Sequence, residues 1–597
     1  MLKKNWFLFG LAATSWWLAA CDPPHRGFQK PIGHDASASD PTGDDGGDDS
    51  GAATLGCTGD LRNVVDENGV VVQTCDPDQG CAAGQCIAAC DAAGLSQGSI
   101  GCDYQIATPS FYSGSKPPCF AVFVANAWAK SANLMVQRGA MSYNVASFAR
   151  IPVAGQPASS WQPLPTGGLP PGQVAIVFLS QDPQSKNGST PLTCPISPAA
   201  NLSGGTAVLG TGRGQAWHVS ADVPVTMYDI LPYGGASSYL PSAELLFPTT
   251  AWGTNYFGIV PIRGTGNSSI TGAQWGQIVA ASDNTTVTLL PSVPLPGGNQ
   301  VLAAATHTPI TYNLNAGEYI QWQDTEEMSS TVIQADHPIA FTGGQTYQCY
   351  QSTTSTGGGC DSGHQQVPAV SAFAWEYAVA PYTTRRRDLQ PESIKYRIVG
   401  AVKDTALLFV PVVAGAPLSL GVGQVVDFEA TGPFVVRSQD SAHPFYVAQT
   451  MSGCFVTGGS RAGDFGSCLG DEDFVNVLPP AQFLTQYVFF TDPTYRTTNL
   501  VFTRVKTANG FQDVTLDCIG TVTGWRPMGS SGVYEFADVD LIRVNVKGKC
   551  DNGPHVASSP ATFGVTVWGL DNASSYGYPA GGNVAPINQV IVLPMPG

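Results

Sequence analysis

The sequence contains few charged residues and, after its first twenty positions, no long apolar run. Only 12% of the 597 residues are charged, and 44 acidic residues against 27 lysines and arginines give a net charge of −17. Nucleic acids and anionic lipid surfaces are bound by clustered Lys and Arg. We therefore expect neither as a partner. No later segment offers the roughly eighteen uninterrupted apolar residues of a membrane-spanning helix.

Recognised catalytic motifs are absent as well. The sequence has no GxSxG elbow, HExxH helix, P-loop or GxGxxG after a strand. It also has no CxxC pair with redox or metal-ligand spacing. Acidic runs at 471–473 and 538–540 could supply the two carboxylates of a glycan hydrolase, but the sequence does not place them in one cleft. His337 and His443 each precede a proline, which we interpret as a structural turn. We expect no enzyme activity, no cofactor and no bound metal.

The first twenty residues have the form of an export signal. Lys3 and Lys4 precede an apolar stretch that is shorter than a typical membrane-spanning helix. The stretch ends in Leu-Ala-Ala-Cys21, which resembles a bacterial lipobox. That resemblance implies cleavage after residue 20 and a diacylglycerol on Cys21. We predict a lipid-anchored, extracytoplasmic protein of the cell envelope. The outer membrane or cell surface is favoured, and the inner membrane stays open because an aspartate follows the cysteine.

The rest of the chain divides by composition into three parts. Residues 21–55 contain seven aspartates and almost no apolar residue, which predicts a flexible tether. Residues 56–102 contain six cysteines, and so short a segment depends on cross-links for its stability. Sequence does not choose among the fifteen possible pairings. Residues 103–597 contain apolar or alternating runs of strand length bounded by Gly, Pro, Asn and Asp, which predict an all-β region.

An internal repeat is visible in the all-β region. Gly423 follows Gly317 by 106 residues, and Pro444 follows Pro338 by the same number. A repeat of about 106 residues built from strands has the size of a β-sandwich. We therefore expect tandem sandwich-like units, with an irregular β-propeller as the alternative. An earlier copy over residues 171–225 has its landmarks 52 residues apart instead of 21, so it carries an insertion.

Cysteines and aromatic residues follow the repeat prolines. Fourteen cysteines remain when Cys21 is set aside, an even number that permits seven disulfides in an oxidising compartment. The predicted pairs outside the Cys-rich segment are Cys349–Cys360, Cys454–Cys468, Cys518–Cys550 and Cys119–Cys194. The aromatic pairs, which we interpret as core residues, are Trp252 with Tyr256, Trp375 with Tyr377, and Phe483 with Tyr487.

The order of these motifs resembles a known family. Asp-x-Pro-apolar, a loop with paired cysteines, Pro…Trp…Tyr and Asp/Asn-Thr-Thr-Val together resemble the IgGFc-binding protein N-terminal domain, which is named after an animal mucus glycoprotein and also occurs in bacterial secreted proteins. The best matching stretches are 221–261, 284–291 and 335–381, and the likeness extends loosely over 103–597. The resemblance implies an extracellular binding role. The chain lacks the cysteine-dense repeats that follow this module in the mucus protein, and no ligand-contact residue can be carried over.

Two classes of function fit these features. The first is adhesion or binding towards a protein or glycan, and the acidic tether favours it. The second is a structural envelope component that assembles with itself. Arg385, Arg386 and Arg387 form the sole basic cluster of the mature chain and could meet an anionic glycan. The alternative for this cluster is a solvated loop paired with neighbours such as Asp388.

Overall fold

Strands dominate the computed structural model, which describes residues 55–153, 155–238, 240–264, 272–461, 468–544 and 546–595. Strands account for 49% of the chain, and the described residues include one α-helix. The prediction of an all-β fold with a small disulfide-rich segment before it is therefore confirmed. No helix in these ranges is long and apolar enough to cross a membrane.

The N-terminal segment is held together mainly by disulfides. Its buried apolar cluster consists only of Val64, Cys75 and Cys81, so cross-links replace the core that so short a chain lacks. Strands β1 to β3 form one sheet, and β4 and β5 form a hairpin before the helix. The elements are β1 (Gly56–Cys57), β2 (Asn63–Val65), β3 (Val71–Thr74), β4 (Gln79–Ala82), β5 (Gln85–Ala88) and α1 (Ala89–Ser96). The bridges are Cys57–Cys81, Cys75–Cys86 and Cys90–Cys102.

The remaining strands form four consecutive units. The first unit comprises β6 (Ile100–Ile106), β7 (Phe120–Ala125), β8 (Leu134–Arg138), β9 (Met141–Tyr143), β10 (Ala149–Ile151), β11 (Gln162–Pro163), β12 (Val174–Gln181), β13 (Lys186–Asn187), β14 (Thr190–Pro191), β15 (Ala200–Asn201), β16 (Gly212–Gln215), β17 (Trp217–Leu231) and β18 (Ser242–Leu246). The second comprises β19 (Gly253–Gly258), β20 (Gln274–Ala280), β21 (Thr285–Leu290), β22 (Ile310–Leu314), β23 (Glu318–Asp324), β24 (Thr331–Gln348) and β25 (Asp361–Val367). The third comprises β26 (Glu376–Val379), β27 (Ile394–Gly400), β28 (Thr405–Ala406), β29 (Leu408–Val410), β30 (Ser419–Leu420), β31 (Val425–Ala430), β32 (Phe434–Arg437), β33 (Phe445–Met451) and β34 (Asp473–Asn476). The fourth comprises β35 (Leu484–Thr491), β36 (Thr497–Val505), β37 (Thr515–Leu516), β38 (Gly520–Thr521), β39 (Arg526–Met528), β40 (Tyr534–Arg543), β41 (Val546–Lys547), β42 (Gly553–Asp571) and β43 (Ser574–Pro579).

Each unit is organised around one long path of strand. In three units this path is a single strand, β17, β24 or β42, and in the third unit it is divided into β32 and β33. The first half of the path pairs with the strand that opens the unit, which is β6, β19, β26 or β35. The second half lies between the last strand of the unit and β7, β20, β27 or β36. The unit is therefore a curled, sandwich-like sheet whose two halves share an apolar core.

The four last strands, β18, β25, β34 and β43, form the centre of the fold. Each of them contacts two of the others, and these contacts close a ring. The ring is completed between the first and fourth units, where the Tyr228 hydroxyl donates to the Ala580 carbonyl at 2.6 Å and the Tyr228 ring lies 4.5 Å from that of Tyr578.

A buried tyrosine marks the same position in every unit. The hydroxyl groups donate to main-chain carbonyls at 2.5–2.7 Å, in the pairs Tyr104 with Val225, Tyr256 with Ile339, Tyr377 with Phe445 and Tyr487 with Phe563. In each pair the tyrosine opens the unit and the carbonyl belongs to its long path, so the bond fixes the two sheet halves to each other. Burial raises the pKa of all four hydroxyls. The structure therefore contains four copies of the unit, whereas the sequence landmarks had marked three.

One aromatic assignment from the sequence is corrected. A 3-10 turn precedes each of three tyrosines, at Thr249–Ala251, Val370–Ala372 and Pro480–Gln482. The residue directly after each turn is Trp252, Phe373 or Phe483, and each is buried. Trp375 is 39% exposed, so Phe373 takes the core position expected for Trp375. The further 3-10 turns are Val145–Ser147, Ala158–Ser160 and Gly235–Ser238.

Candidate functional site

The cysteines proposed from the sequence lie in loops that close the units. The structure joins Cys119 to Cys194, Cys349 to Cys360, Cys454 to Cys468 and Cys518 to Cys550, which are the partners that the sequence predicted. With the three N-terminal bridges the described chain contains seven disulfides, which indicate an extracellular protein. Cys21, the predicted lipidation site, lies outside the described residues.

The basic cluster does not present three free charges. Arg385 is fully buried, and its guanidinium donates to the buried Glu392 carboxylate at 2.7 Å. Arg386 pairs with Asp388 at 2.6 Å, as the alternative interpretation had proposed, and the exposed Arg387 donates to the Ser460 carbonyl at 3.0 Å. Arg385 therefore contributes to the interior of the third unit, and a ligand at the surface cannot contact it.

The acidic runs do not face a cleft together. Asp471, Glu472 and Asp473 are fully buried. Burial raises the pKa of Asp471 to about 6 and raises that of Glu472 further, because the Asp471 charge lies beside it. In the second run, Asp538 pairs with Arg526 and Asp540 with Arg461. This is not the arrangement of a glycosidase, in which two accessible carboxylates flank the bound sugar.

The two His-Pro dipeptides lie near the surface in different settings, because His337 and Pro338 belong to strand β24 whereas His443 lies in the turn before β33. His337 pairs with the neighbouring Asp336 at 2.9 Å, and His443 pairs with Asp440 at 2.7 Å. The turn predicted for the motif is therefore present at His443, whereas the prediction is wrong for His337, which lies within β24.

The largest departure from the repeat is the insertion in the first unit, residues 182–216. At the corresponding place in the second unit only residues 325–330 connect β23 to β24. The insertion is fixed to the unit by the Cys119–Cys194 bridge and by the Cys119 amide, which donates to the Leu192 carbonyl at 2.8 Å. Its last strand, β16, pairs with β23 and so joins the sheet of the second unit. Long loops held on a rigid scaffold commonly carry binding residues.

A cleft of about 400 Å³ lies beside this insertion. This volume is within the range of small-ligand sites. Four separate segments form the cleft: one before β11, the insertion, the residues after β17, and the residues after β35 in the fourth unit. The lining residues are Gly155, Gln156, Pro157, Ala158, Trp161, Pro191, Leu192, Thr193, Pro195, Tyr233, Gly234, Ser237, Ser238, Pro493 and Thr494. We call it the insertion cleft.

The insertion cleft is uncharged and has rigid walls. Its described lining residues include four prolines and two aromatic residues, and none of them is Asp, Glu, Lys, Arg or His. The Trp161 indole donates to the Gln156 carbonyl at 3.1 Å, which holds the ring in place. Thr494 donates from its amide and its hydroxyl to Asp492 at 2.8 and 2.7 Å. Apolar walls with a few hydroxyl and amide groups suit a neutral ligand, such as a sugar residue or an uncharged stretch of protein.

Two other cavities are weaker candidates. A cleft of about 420 Å³ on another side of the insertion is lined by residues that include Lys116, Asp182 and Gln323, but Lys116 and Asp182 already bond to the protein itself. A cavity lined by Val475 and Trp568 has a volume of only about 50 Å³, which accommodates no more than a few water molecules. The insertion cleft is therefore the candidate site.

The sequence predicts the insertion but not the cleft. The doubled landmark spacing and Cys194 pointed to extra residues in the first copy. No sequence signal connected them with Trp161, Tyr233 or Pro493, because these residues are brought together only when the first and fourth units meet.

Comparison with known proteins identifies the family. The chain matches the family described as IgGFc binding protein over residues 242–569, which covers most of the second, third and fourth units. No curated protein is significantly similar to the chain. The family indicates a binding role, and the disulfides indicate an extracellular location. On the extent of this match, the chain belongs to the IgGFc binding protein family.

Proposed function

We propose that this chain is a lipid-anchored extracellular protein that binds an uncharged part of a protein or glycan in the insertion cleft. The observation that carries the proposal is the cleft itself, because it has ligand-sized volume, proline-rich walls with a few hydroxyl and amide groups, and no charged residue among its described lining residues. The family supports a binding role, and its name makes the Fc part of immunoglobulin G one ligand to test.

The proposed anchor is a diacylglycerol on Cys21. The Leu-Ala-Ala-Cys order at the end of the apolar stretch supports it, and the acidic residues 22–55 would then separate the folded body from the membrane. Metabolic labelling with an alkyne fatty acid should label the wild-type chain and leave Cys21→Ser unlabelled. Labelled Cys21→Ser would refute this attachment site.

We also propose that the chain acts without catalysis and without a nucleic-acid partner. The acidic runs that a glycan hydrolase would use are buried or ion-paired, and the net charge of −17 repels polyanions. Incubation with neutral polysaccharides should release no reducing ends. Saturable turnover of such a substrate would overturn this part of the proposal.

A binding screen tests the ligand class. The Cys21→Ser chain should be applied to intact Fc, deglycosylated Fc, mucins, matrix proteins and neutral or sulfated polysaccharides. Retention on Fc that disappears after deglycosylation would identify a glycan ligand, and retention on both forms would identify a protein surface. A blank result together with large oligomers in light scattering would instead favour the alternative, a self-assembling envelope component.

A further inference from the structure

Three ionisable side chains meet in the interior where the first and second units join. Asp229 on β17 and Glu244 on β18 lie directly opposite each other in the strand pairing. His364 on β25 comes from the neighbouring unit, and its Nε2 lies 2.8 Å from Asp229 Oδ1. A nitrogen of His364 and one oxygen of each carboxylate all lie within 4.8 Å of one another. The three residues are 0–3% exposed.

The two carboxylates are incompletely satisfied. Asp229 Oδ2 and Glu244 Oε2 are buried and have no hydrogen-bond partner among the described residues. Among the described residues the only ion pair of either carboxylate is that of Asp229 with the His364 ring, so Glu244 has no counter-ion there. Buried carboxylates without a cation are costly because burial removes their hydration.

We propose that Asp229, Glu244 and His364 bind one divalent transition-metal ion, for which zinc is the best match. Two carboxylates balance the charge of a divalent ion, and a neutral imidazole supplies the third ligand. Zinc accepts His nitrogen together with Asp or Glu oxygen at about 2.0–2.2 Å. Calcium and magnesium take oxygen ligands, so the imidazole argues against both.

A second group of potential ligands provides the contrast. Asp517, Cys518 and His555 also come close together in the fourth unit. Cys518 is bonded to Cys550, so it has no thiolate to offer. The Asp517 side chain is 39% exposed and already faces the His555 ring at 3.1 Å. This second group therefore lacks the two buried, unsatisfied oxygens that distinguish the first.

The position of the first group defines what the metal would do. Hydrogen bonds already cross the same junction, where the His364 amide donates to Ser242 Oγ at 3.0 Å and the Gln365 side chain donates to the Ala243 carbonyl at 2.9 Å. Strands β18 and β25 belong to different sheets. A metal bound between them would therefore add a strong link between the first two units. The ion would stabilise the ring of inner strands, independently of ligand binding in the insertion cleft.

Metal analysis of the full chain tests the proposal. Protein folded with Zn²⁺, Mn²⁺ and Co²⁺ present should retain about one equivalent of zinc per chain after extensive dialysis, because a site formed on folding holds its ion tightly. The variant Glu244→Gln should fold, since the amide has the shape of the protonated acid, and it should lose the ion. His364→Gln should lose it too, whereas the matched control His555→Gln should keep it.

Three outcomes would overturn the assignment. The first is folded wild-type protein without metal, a result that needs no variant. The second is retention of the full equivalent by folded Glu244→Gln or His364→Gln. The third is loss of the ion from His555→Gln alone. With cobalt in the site, a visible absorption band that is missing in Glu244→Gln would support the assignment separately from the metal content.

Discussion

The tyrosine bond that recurs in all four units gives a sharp test of how the units are held together. In the third unit the Tyr377 hydroxyl accepts from the Ala374 amide at 3.2 Å and donates to the Phe445 carbonyl at 2.7 Å. Tyr377→Phe deletes one oxygen and leaves two buried main-chain groups without this partner. Each such group costs about 1–3 kcal/mol, so we expect the free energy of unfolding of this unit to fall by about 2–6 kcal/mol.

The same unit offers a matched control. Tyr396 on β27 is fully buried, and its hydroxyl has no hydrogen-bond partner among the described residues. Tyr396→Phe removes the same atom but breaks no bond. We expect its free energy of unfolding to remain unchanged or to rise by up to about 1 kcal/mol, because a buried unsatisfied hydroxyl is lost.

Hydrogen exchange during urea denaturation measures both variants. Units of one long chain need not unfold in a single step, so exchange should be followed in peptides that cover β27, β31 and β33. Equal destabilisation by Tyr377→Phe and Tyr396→Phe would refute the reasoning, because it would show that the loss of the oxygen, and not of the bond, determines the cost.

Three further predictions concern charge, pH and the insertion. Arg385→Ala should lower the free energy of unfolding by about 3–5 kcal/mol, because the buried Glu392 carboxylate loses its counter-ion. The control Arg387→Ala, at an exposed position, should change the free energy of unfolding by less than about 0.5 kcal/mol. Equal urea midpoints for the two variants would contradict this prediction. Burial raises the pKa of the Asp492 carboxyl group to about 6, so the folded state holds this proton more tightly than the unfolded state does. The stability that the protonated carboxyl group contributes is therefore fully present below pH 3.8 and is lost as the pH rises through 6. Asp492→Asn should remove that loss and stabilise the chain at pH 7 by up to about 3 kcal/mol, and unchanged pH profiles from thermal melts would argue against it. Replacing Cys119 and Cys194 by Ala opens a loop of 75 residues and should cost about 4–5 kcal/mol by loop entropy, which urea titration of oxidised protein measures; a loss below about 1 kcal/mol would exclude the loop-entropy argument.

The repeat was predictable where the backbone imposed a residue type. Gly317 and Gly423 both adopt positive φ, at 73° and 64°, a conformation that glycine adopts without strain. They therefore recur in sequence at a spacing that can be recognised. The tyrosines are harder to align, because Tyr377 follows Tyr256 by 121 residues and Tyr487 follows Tyr377 by 110. The loops between them vary in length at little energetic cost.

The fourth unit was missed because it lacks the proline landmark. The carbonyl that accepts from the tyrosine belongs to the residue after Pro224, Pro338 or Pro444 in the first three units, whereas Thr562 precedes Phe563 in the fourth. At such a position the fold needs an apolar residue and a free carbonyl, and many sequences supply both. A repeat defined by packing therefore persists after its sequence motif has disappeared.

The sequence did not predict which residues that are distant along the chain contact each other in the fold. Sequence showed three adjacent arginines, but the burial of Arg385 follows from its contact with Glu392 inside the third unit. The insertion cleft and the Asp229, Glu244 and His364 group each combine residues from two units. Both sites form at contacts between units, and a single sequence does not show which residues of two units will be in contact.

Blocking the insertion cleft tests the proposed binding role most directly. Ser237 is exposed and lines the cleft, whereas Ser441 is exposed on a turn of the third unit outside it. The affinity of the ligand identified by the screen should be measured by surface plasmon resonance for the wild type, Ser237→Trp and Ser441→Trp. The account predicts that Ser237→Trp abolishes saturable binding and that Ser441→Trp retains wild-type affinity. Equal affinity of all three proteins would contradict it.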